Sequence, residues 1–215
     1  MKEIKHLLYI LLLLLTGCKD NAQKYIAFIG TKFVSSQTKL DAYKLVSNEL
    51  NLECLNLFSK QNDRYEDILN VLDKNPNVTY KNKTNRVSNY LEQSKYIAVN
   101  FSYNNVLRNA KIYDNNFIYL EKDFNYDKEN FAYFLNEILE NLSSYNSIII
   151  CCFLFDIYNL EESSKYVYLM NDVIVEKCQD YGIKYVDTSA IEIEKGYIDD
   201  LTVNNFSKLL LNALK

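Results

Sequence analysis

The chain has 215 residues, with 24 Lys and Arg against 28 Asp and Glu, and a formal net charge of −4. That balance leaves no electrostatic footprint for a nucleic acid, and the length suits one domain with a substantial core. Five Cys and a single His, without metal-ligand spacing, give no metal site, and four Gly cannot write a phosphate-cradling loop, so no cofactor is expected.

The first segment, MKEIKHLLYILLLLLTGCKD, begins with Lys2 and Lys5, runs apolar from Leu7 to Leu15, and reaches small residues at Thr16 and Gly17. Nine apolar residues are too few for a spanning helix, which needs roughly 20. Their size and flanks are those of a secretory signal peptide. Leu15-Thr16-Gly17-Cys18 also resembles the lipobox of bacterial lipoproteins. The resemblance implies that Cys18 becomes the new N-terminus and carries a diacylglycerol, holding the protein on the outer face of a bacterial cell membrane. Two or three acyl chains hold firmly, at ~0.8 kcal/mol per buried methylene. A plain signal peptide with an incidental Cys is the alternative. The expected organisation is a signal peptide over 1–17, a short anchor linker over 18–23, and one domain over 24–215. Cleavage removes Lys2, Lys5 and Glu3, leaving 22 basic and 27 acidic residues, a net charge of −5.

Beyond the anchor, short apolar runs alternate with helical patterns. KYIAFIG (24–30) reads as a strand closed by Gly30, and Leu40, Tyr43, Leu45, Val46 and Leu50 mark a helix. LECLNLF (52–58) is the next strand and RYEDILNVLDK the next helix. NPNVTYKNKTNR (75–86), with the only Pro, reads as a solvated loop. YIAVNF (96–101) is a third strand, followed by a polar loop. Phe131, Phe134, Leu135, Ile138, Leu139 and Leu142 then share one helix face. SIIICCFLF (147–155) is a fourth strand, and Val167, Met170, Ile174 and Cys178 mark a helix stopping at Gly182. IKYVD (183–187) is the fifth strand. A last helix carries Phe206, Leu209, Leu210, Ala213 and Leu214 on one face. Strands apolar throughout, separated by amphipathic helices, predict a five-stranded parallel sheet in a three-layer α/β/α sandwich. Ligands of such folds bind outside the carboxyl ends of the strands.

The final helix is preceded by Asp199 and Asp200, with Thr202 and Asn204 following. This cluster reads either as a helix cap, with Thr202 or Asn204 accepting from free backbone amides, or as the rim of a reaction site. Cys54, Cys151, Cys152 and Cys178 read as buried free thiols acting as small hydrophobes. A disulfide outside the cell is the alternative, and the sequence does not choose its partners. Glu161-Glu162 and Glu192-Glu194 read as helix-start and loop charges. Tyr103, Tyr113, Tyr119, Tyr126, Tyr158 and Tyr197 flank the loops, where a flat ring with a polar tip suits a sugar or a protein surface. The alternative is half-buried helix faces and an AT-rich genome, which also explains the frequent Asn, Lys and Ile.

Strand order and punctuation resemble the SGNH, or GDSL-type, hydrolases over nearly the whole mature chain, which implies a flavodoxin-like topology and ester hydrolysis. In that family the first strand ends in Gly-Asp-Ser; FIGTKF keeps Gly30 but has Thr31 for the Asp and Lys32 for the nucleophile. The second-block Gly has no counterpart, because no Gly occurs between positions 31 and 181. SYNNV places Ser102 at the third-block Gly, Asn104 at the oxyanion Asn and Asn105 at the Asp. DDLT places Asp199 at the last-block Asp and Thr202 at the His. A hydroxyl cannot take up and return a proton near neutral pH, and the only His, His6, leaves with the signal peptide. Lys32 could serve Ser35 or Ser36 as a base only if burial depressed its pKa. The sequence thus predicts an anchored SGNH-like domain, catalytically inactive, that binds a glycan, an acyl ester or a protein partner at a strand-end pocket. The competing expectation is an ester hydrolase working through a rearranged site.

Overall fold

The computed structural model describes residues 23–56, 64–113, 116–157, 160–191, 193 and 197–215. Cys18, the signal segment, Tyr158, and Glu192 and Glu194 lie outside them.

Five strands form one parallel sheet: β1 (Tyr25–Gly30), β2 (Glu53–Leu55), β5 (Ser94–Asn100), β8 (Ile148–Cys152) and β9 (Lys184–Val186). Their order is β2-β1-β5-β8-β9, so the chain starts near one edge, steps outward once, then crosses β1 and proceeds to the other edge. Every residue of β1 is buried. Side chains alternate across a strand, and the sheet sorts them into two cores. Tyr25, Ala27, Ile29, Ile97, Val99, Ile149 and Cys151 face one layer of helices. Ile26, Phe28, Tyr96, Ala98, Ile150, Cys152 and Val186 face the other.

The first layer contains α2 (Tyr65–Lys74), α3 (Val87–Glu92), α5 (Glu121–Ser143) and α6 (Glu161–Asp180). The second contains α1 (Ala42–Glu49) and α7 (Asp200–Leu214). A short helix, α4 (Tyr103–Val106), follows β5. Asp41 caps α1 by accepting from the Tyr43 and Lys44 amides at 2.9 and 3.4 Å. Glu161 and Glu162 lie in the first turn of α6, where they favour the helix dipole as expected. Helix α6 ends at Asp180, and Gly182 takes the left-handed φ of +63° just beyond it.

The segment 75–86, expected as a loop, instead contains an antiparallel hairpin, β3 (Asn77–Tyr80) with β4 (Lys83–Arg86). Lys81 and Asn82 both take positive φ, 45° and 64°, in its two-residue turn, the conformation that matches strand twist. Its strands are exposed or half-buried, so no apolar alternation advertised them. A second hairpin, β6 (Lys111–Tyr113) with β7 (Asn116–Ile118), occupies the polar loop after the third strand.

Cys151, Cys152 and Cys178 are buried free thiols and Cys54 is half-buried. Burial pushes the Cys152 thiol up to about 12 and the Cys54 thiol to about 11. The neighbouring Cys178 thiol, together with burial, raises the Cys151 pKa well above the ordinary thiol value.

Candidate functional site

The carboxyl ends of β1, β5, β8 and β9 define one edge of the sheet, and the amino end of α7 returns to it. At the end of β1, Gly30 has φ +98°, and a Cβ there would lie 1.9 Å from the Asn100 carbonyl oxygen. Only glycine allows the two backbones to approach this closely. Thr31 then donates its amide to the Asn100 carbonyl at 2.8 Å. The Asn100 side chain, 3% exposed, donates to the Thr31 carbonyl and the Tyr43 hydroxyl, each at 3.1 Å. Tyr43 itself donates to the Thr31 carbonyl at 2.5 Å and stacks on Phe28 at 3.9 Å. Asn100 Oδ1 and Thr31 Oγ1 are buried without a hydrogen-bond partner among the described residues.

Lys32 follows and is exposed. The burial that could make it a base is absent. Phe33 turns inward against Phe155 and Phe206, each at 4.6 Å, and Phe155 lies 5.4 Å from Phe206. One ring comes from the β1–α1 loop, one from the end of β8 and one from α7. Thr202 lies one turn before Phe206 on the same face of α7 and is buried like it. Ser36 donates its amide to the Ile198 carbonyl at 2.7 Å, and the Thr38 hydroxyl donates to Asp200 at 2.6 Å. The loops carrying Lys32 and Asp199–Thr202 are therefore brought together at one edge.

The cap resolves differently from either sequence-based choice. Asp199, not Thr202 or Asn204, is the N-cap of α7, and its Oδ1 accepts the Thr202 amide at 2.6 Å. Hydrogen bonds from the Thr202 side chain and backbone hold the Asp199 carboxyl below its usual range. Asp199 thus serves its own helix. Hydrogen bonds from Ser35 and then Thr38 hold Asp200 low as well. Ser35 is 1% exposed and accepts the Gln37 and Thr38 amides at 3.3 and 3.4 Å, so it stabilises a turn; Ser36 is exposed. Ser102 occupies the N-cap position of α4, Asn104 is exposed on its single turn, and Asn105 is buried.

A cavity of about 80 Å³ opens further along the same edge, lined by Leu154, Asp156, Ser164, Asn171, Thr188 and Ile191 among others. Asp156 accepts from Ser163 at 2.9 Å and Ser164 at 2.6 Å. Asn171 is buried and holds the Leu154 amide at 2.8 Å. Among the loop tyrosines, Tyr103 and Tyr119 are core residues, whereas Tyr113, Tyr126 and Tyr197 are exposed. Among the described residues, no group of three or more His, Cys, Asp or Glu is placed to hold a metal ion.

Two polar clusters fix the β5–α5 connection. Asp127, 1% exposed, accepts from Asn109 at 2.9 and 2.8 Å and from the Tyr119 hydroxyl at 2.5 Å. Burial, then the hydrogen bond to Asp127, raises the Tyr119 pKa far above the ordinary phenol value. Arg108 forms a fork–fork pair with Glu66 at 2.5 and 2.6 Å and lies 3.9 Å over the Tyr65 ring. Sequence reading missed Asn100, Tyr43, Asp127 and Arg108. Their roles depend on partners 8 to 69 positions away.

No protein-family model matches the sequence, and no curated protein is a recognisable sequence relative. Solved structures are similar in fold. A lipolytic protein of the G-D-S-L family from Desulfitobacterium hafniense is 10% identical, with a TM-score of 0.61, over 88% of this chain and 99% of its own. The acetyl xylan esterase AlAXEase is 11% identical, with a TM-score of 0.62, over 89% of this chain and 100% of its own. A catalytic mutant of an acetylxylan esterase from Geobacillus stearothermophilus is 14% identical, with a TM-score of 0.59, over 89% and 94%. The fold is therefore that of the SGNH/GDSL hydrolases, an α/β/α sandwich on a five-stranded parallel sheet.

Proposed function

We propose that the protein is a lipid-anchored, extracytoplasmic binding protein built on an SGNH-hydrolase fold and without ester-hydrolase chemistry. The observation that carries this reading is the absence of any imidazole after His6, at an edge whose aligned groups have other tasks. Asp199 caps α7, Thr202 is buried in its first turn, and Lys32 is an exposed ammonium with no hydroxyl to act as nucleophile. A serine nucleophile needs a neighbouring base, and neither member of that pair stands at the matching positions. Ser35, the nearer serine for a rearranged site, is buried in its own turn.

The anchor fits the same geometry. Gln23 donates to the Asn146 carbonyl at 2.8 Å and Lys24 to the Gln93 carbonyl at 2.9 Å, both at the amino edge of the sheet. Only four residues lie between Cys18 and Gln23, so a lipid on Cys18 would leave the carboxyl edge facing away from the membrane. That edge would then be free to take a glycan, an acylated ligand or a protein partner, with Tyr113, Tyr126 and Tyr197 as exposed stacking rings. The test is labelling of the full-length protein with a serine-directed fluorophosphonate. No label is expected. Covalent labelling lost on Ser36→Ala would favour the rearranged esterase instead.

A further inference from the structure

The cavity between the carboxyl ends of β8 and β9 and the start of α6 contains none of the positions aligned with the hydrolase blocks. Leu154, Val167 and Ile191 form apolar walls, and Asp156, Ser164 and the exposed Tyr168 stand among them. Two other polar groups of the lining are committed to backbone. Asn171 accepts the Leu154 amide at 2.8 Å and donates to the Leu154 carbonyl at 3.4 Å, and the Thr188 hydroxyl donates to the Phe153 carbonyl at 3.3 Å. The single proton of the Ser164 hydroxyl goes to Asp156 at 2.6 Å or to the Leu160 carbonyl at 3.0 Å, so toward a ligand its oxygen accepts. A carboxylate is acceptor-only as well. The pair therefore suits a ligand that donates, and an acyl ester has no donor to offer.

The charge around the cavity has the matching sign. Ser163 and Ser164, which hold Asp156, are neutral hydroxyls and leave its charge in place. Glu161 and Glu162 lie in the first turn of α6, and the exposed Asp187 directly precedes Thr188 of the lining. These carboxylates outweigh the roughly half a positive charge of the helix start. The one cation among residues 161–171, Lys165, lies over the Tyr166 ring at 5.7 Å. The volume of about 80 Å³ holds roughly five waters, or a chain of about five heavy atoms.

We infer that this cavity binds a small primary alkylammonium, with its cationic head at Asp156 and Ser164 and its alkyl body against Leu154, Val167 and Ile191. An ammonium carries three donors and no acceptor, partial enclosure strengthens its attraction to a carboxylate, and the Tyr168 ring adds a surface that attracts cations. The inference stands whether or not the aligned edge hydrolyses esters. A free amine and a lysine side chain share this chemistry.

The test is isothermal titration of the full-length protein in detergent with n-butylammonium chloride. Saturable binding is expected, with a Kd of roughly 0.1–1 mM that weakens as salt is raised. n-Butanol and butyrate, of similar size but without the charge or with the opposite one, should bind at least about tenfold more weakly. Asp156→Asn, which keeps an acceptor for Ser163 and Ser164, should lose at least about tenfold as well. Ile191→Trp fills the cavity and should abolish binding, with circular dichroism confirming that each variant is folded; if Asp156→Asn is not, Ile191→Trp decides. N-acetyl-lysine amide separates the two sources: affinity equal to that of butylammonium assigns a lysine side chain, and loss of binding assigns a free amine. No saturable binding of butylammonium in the millimolar range, equal affinity for butanol or butyrate, or unchanged affinity in a folded variant would overturn the inference.

Discussion

Replacing Phe206 by Ala tests how the carboxyl edge is held together. Its ring is fully buried and touches three others: Phe33 at 4.6 Å, Phe155 at 5.4 Å and Tyr43 at 6.4 Å. Core Phe→Ala changes cost about 3–5 kcal/mol, combining lost transfer energy with a cavity that relaxes only in part. Relaxation is restricted here, because the neighbours belong to three elements already pinned by the sheet. The expected loss is therefore in the upper part of that range, or roughly 8–16 °C in Tm for a domain of this size. Phe206→Leu, which refills most of the space, should cost about 1–2 kcal/mol. Urea unfolding followed by far-UV circular dichroism gives both values, with an unchanged m-value showing that the unfolded state is unaltered. Hydrogen exchange should also accelerate at the Ser35 and Ser36 amides, which bond the Leu40 and Ile198 carbonyls. A loss below about 1 kcal/mol for Phe206→Ala would refute the three-ring plug.

Gly30→Ala should destabilise by more than about 3 kcal/mol, because the new Cβ meets backbone that cannot swing aside at a left-handed φ; thermal unfolding measures it. Glu66→Gln should weaken the protein by about 1 kcal/mol, a modest figure because both partners are partly exposed. Burial pushes the Glu66 pKa up, but hydrogen bonds from Arg108 outweigh it and the carboxyl stays low. A depressed carboxylate contributes stability above its unfolded pKa of about 4.3 and loses it as pH falls through the folded value. The gap between wild type and Glu66→Gln should accordingly be flat from about pH 7 to 5 and shrink below about 4. Metabolic labelling with a palmitate analogue should mark the wild type and not Cys18→Ala; persistent label on the variant would remove the anchor.

The centre of the sheet was legible because β1, β5 and β8 are mostly buried on both faces and so read as unbroken apolar runs, as in IAFIG and IIICC. The hairpins were not, because TYKNKTNR is polar on both faces and its turn depends on left-handed Lys81 and Asn82. At the candidate site, Gly30 was readable from its place at a strand end. Asn100 was not: inside YIAVNF it is one more strand residue until β1 arrives beside it with the Thr31 carbonyl. The cap was misplaced, at Thr202 or Asn204 instead of Asp199, since Ser, Thr, Asn and Asp are all favourable caps and local sequence alone does not rank them.

The most direct measurement is turnover of a short-chain aryl ester by the purified wild-type protein, set beside the triple variant Thr31→Asp, Lys32→Ser, Thr202→His. The wild type should not exceed the no-enzyme background, whereas ordinary enzymes turn over at about 1–10³ per second. The triple variant should gain weak activity, limited by the missing second-block glycine of the oxyanion hole. Robust hydrolysis by the wild type, abolished by Ser36→Ala, would contradict the account and make the protein a working esterase.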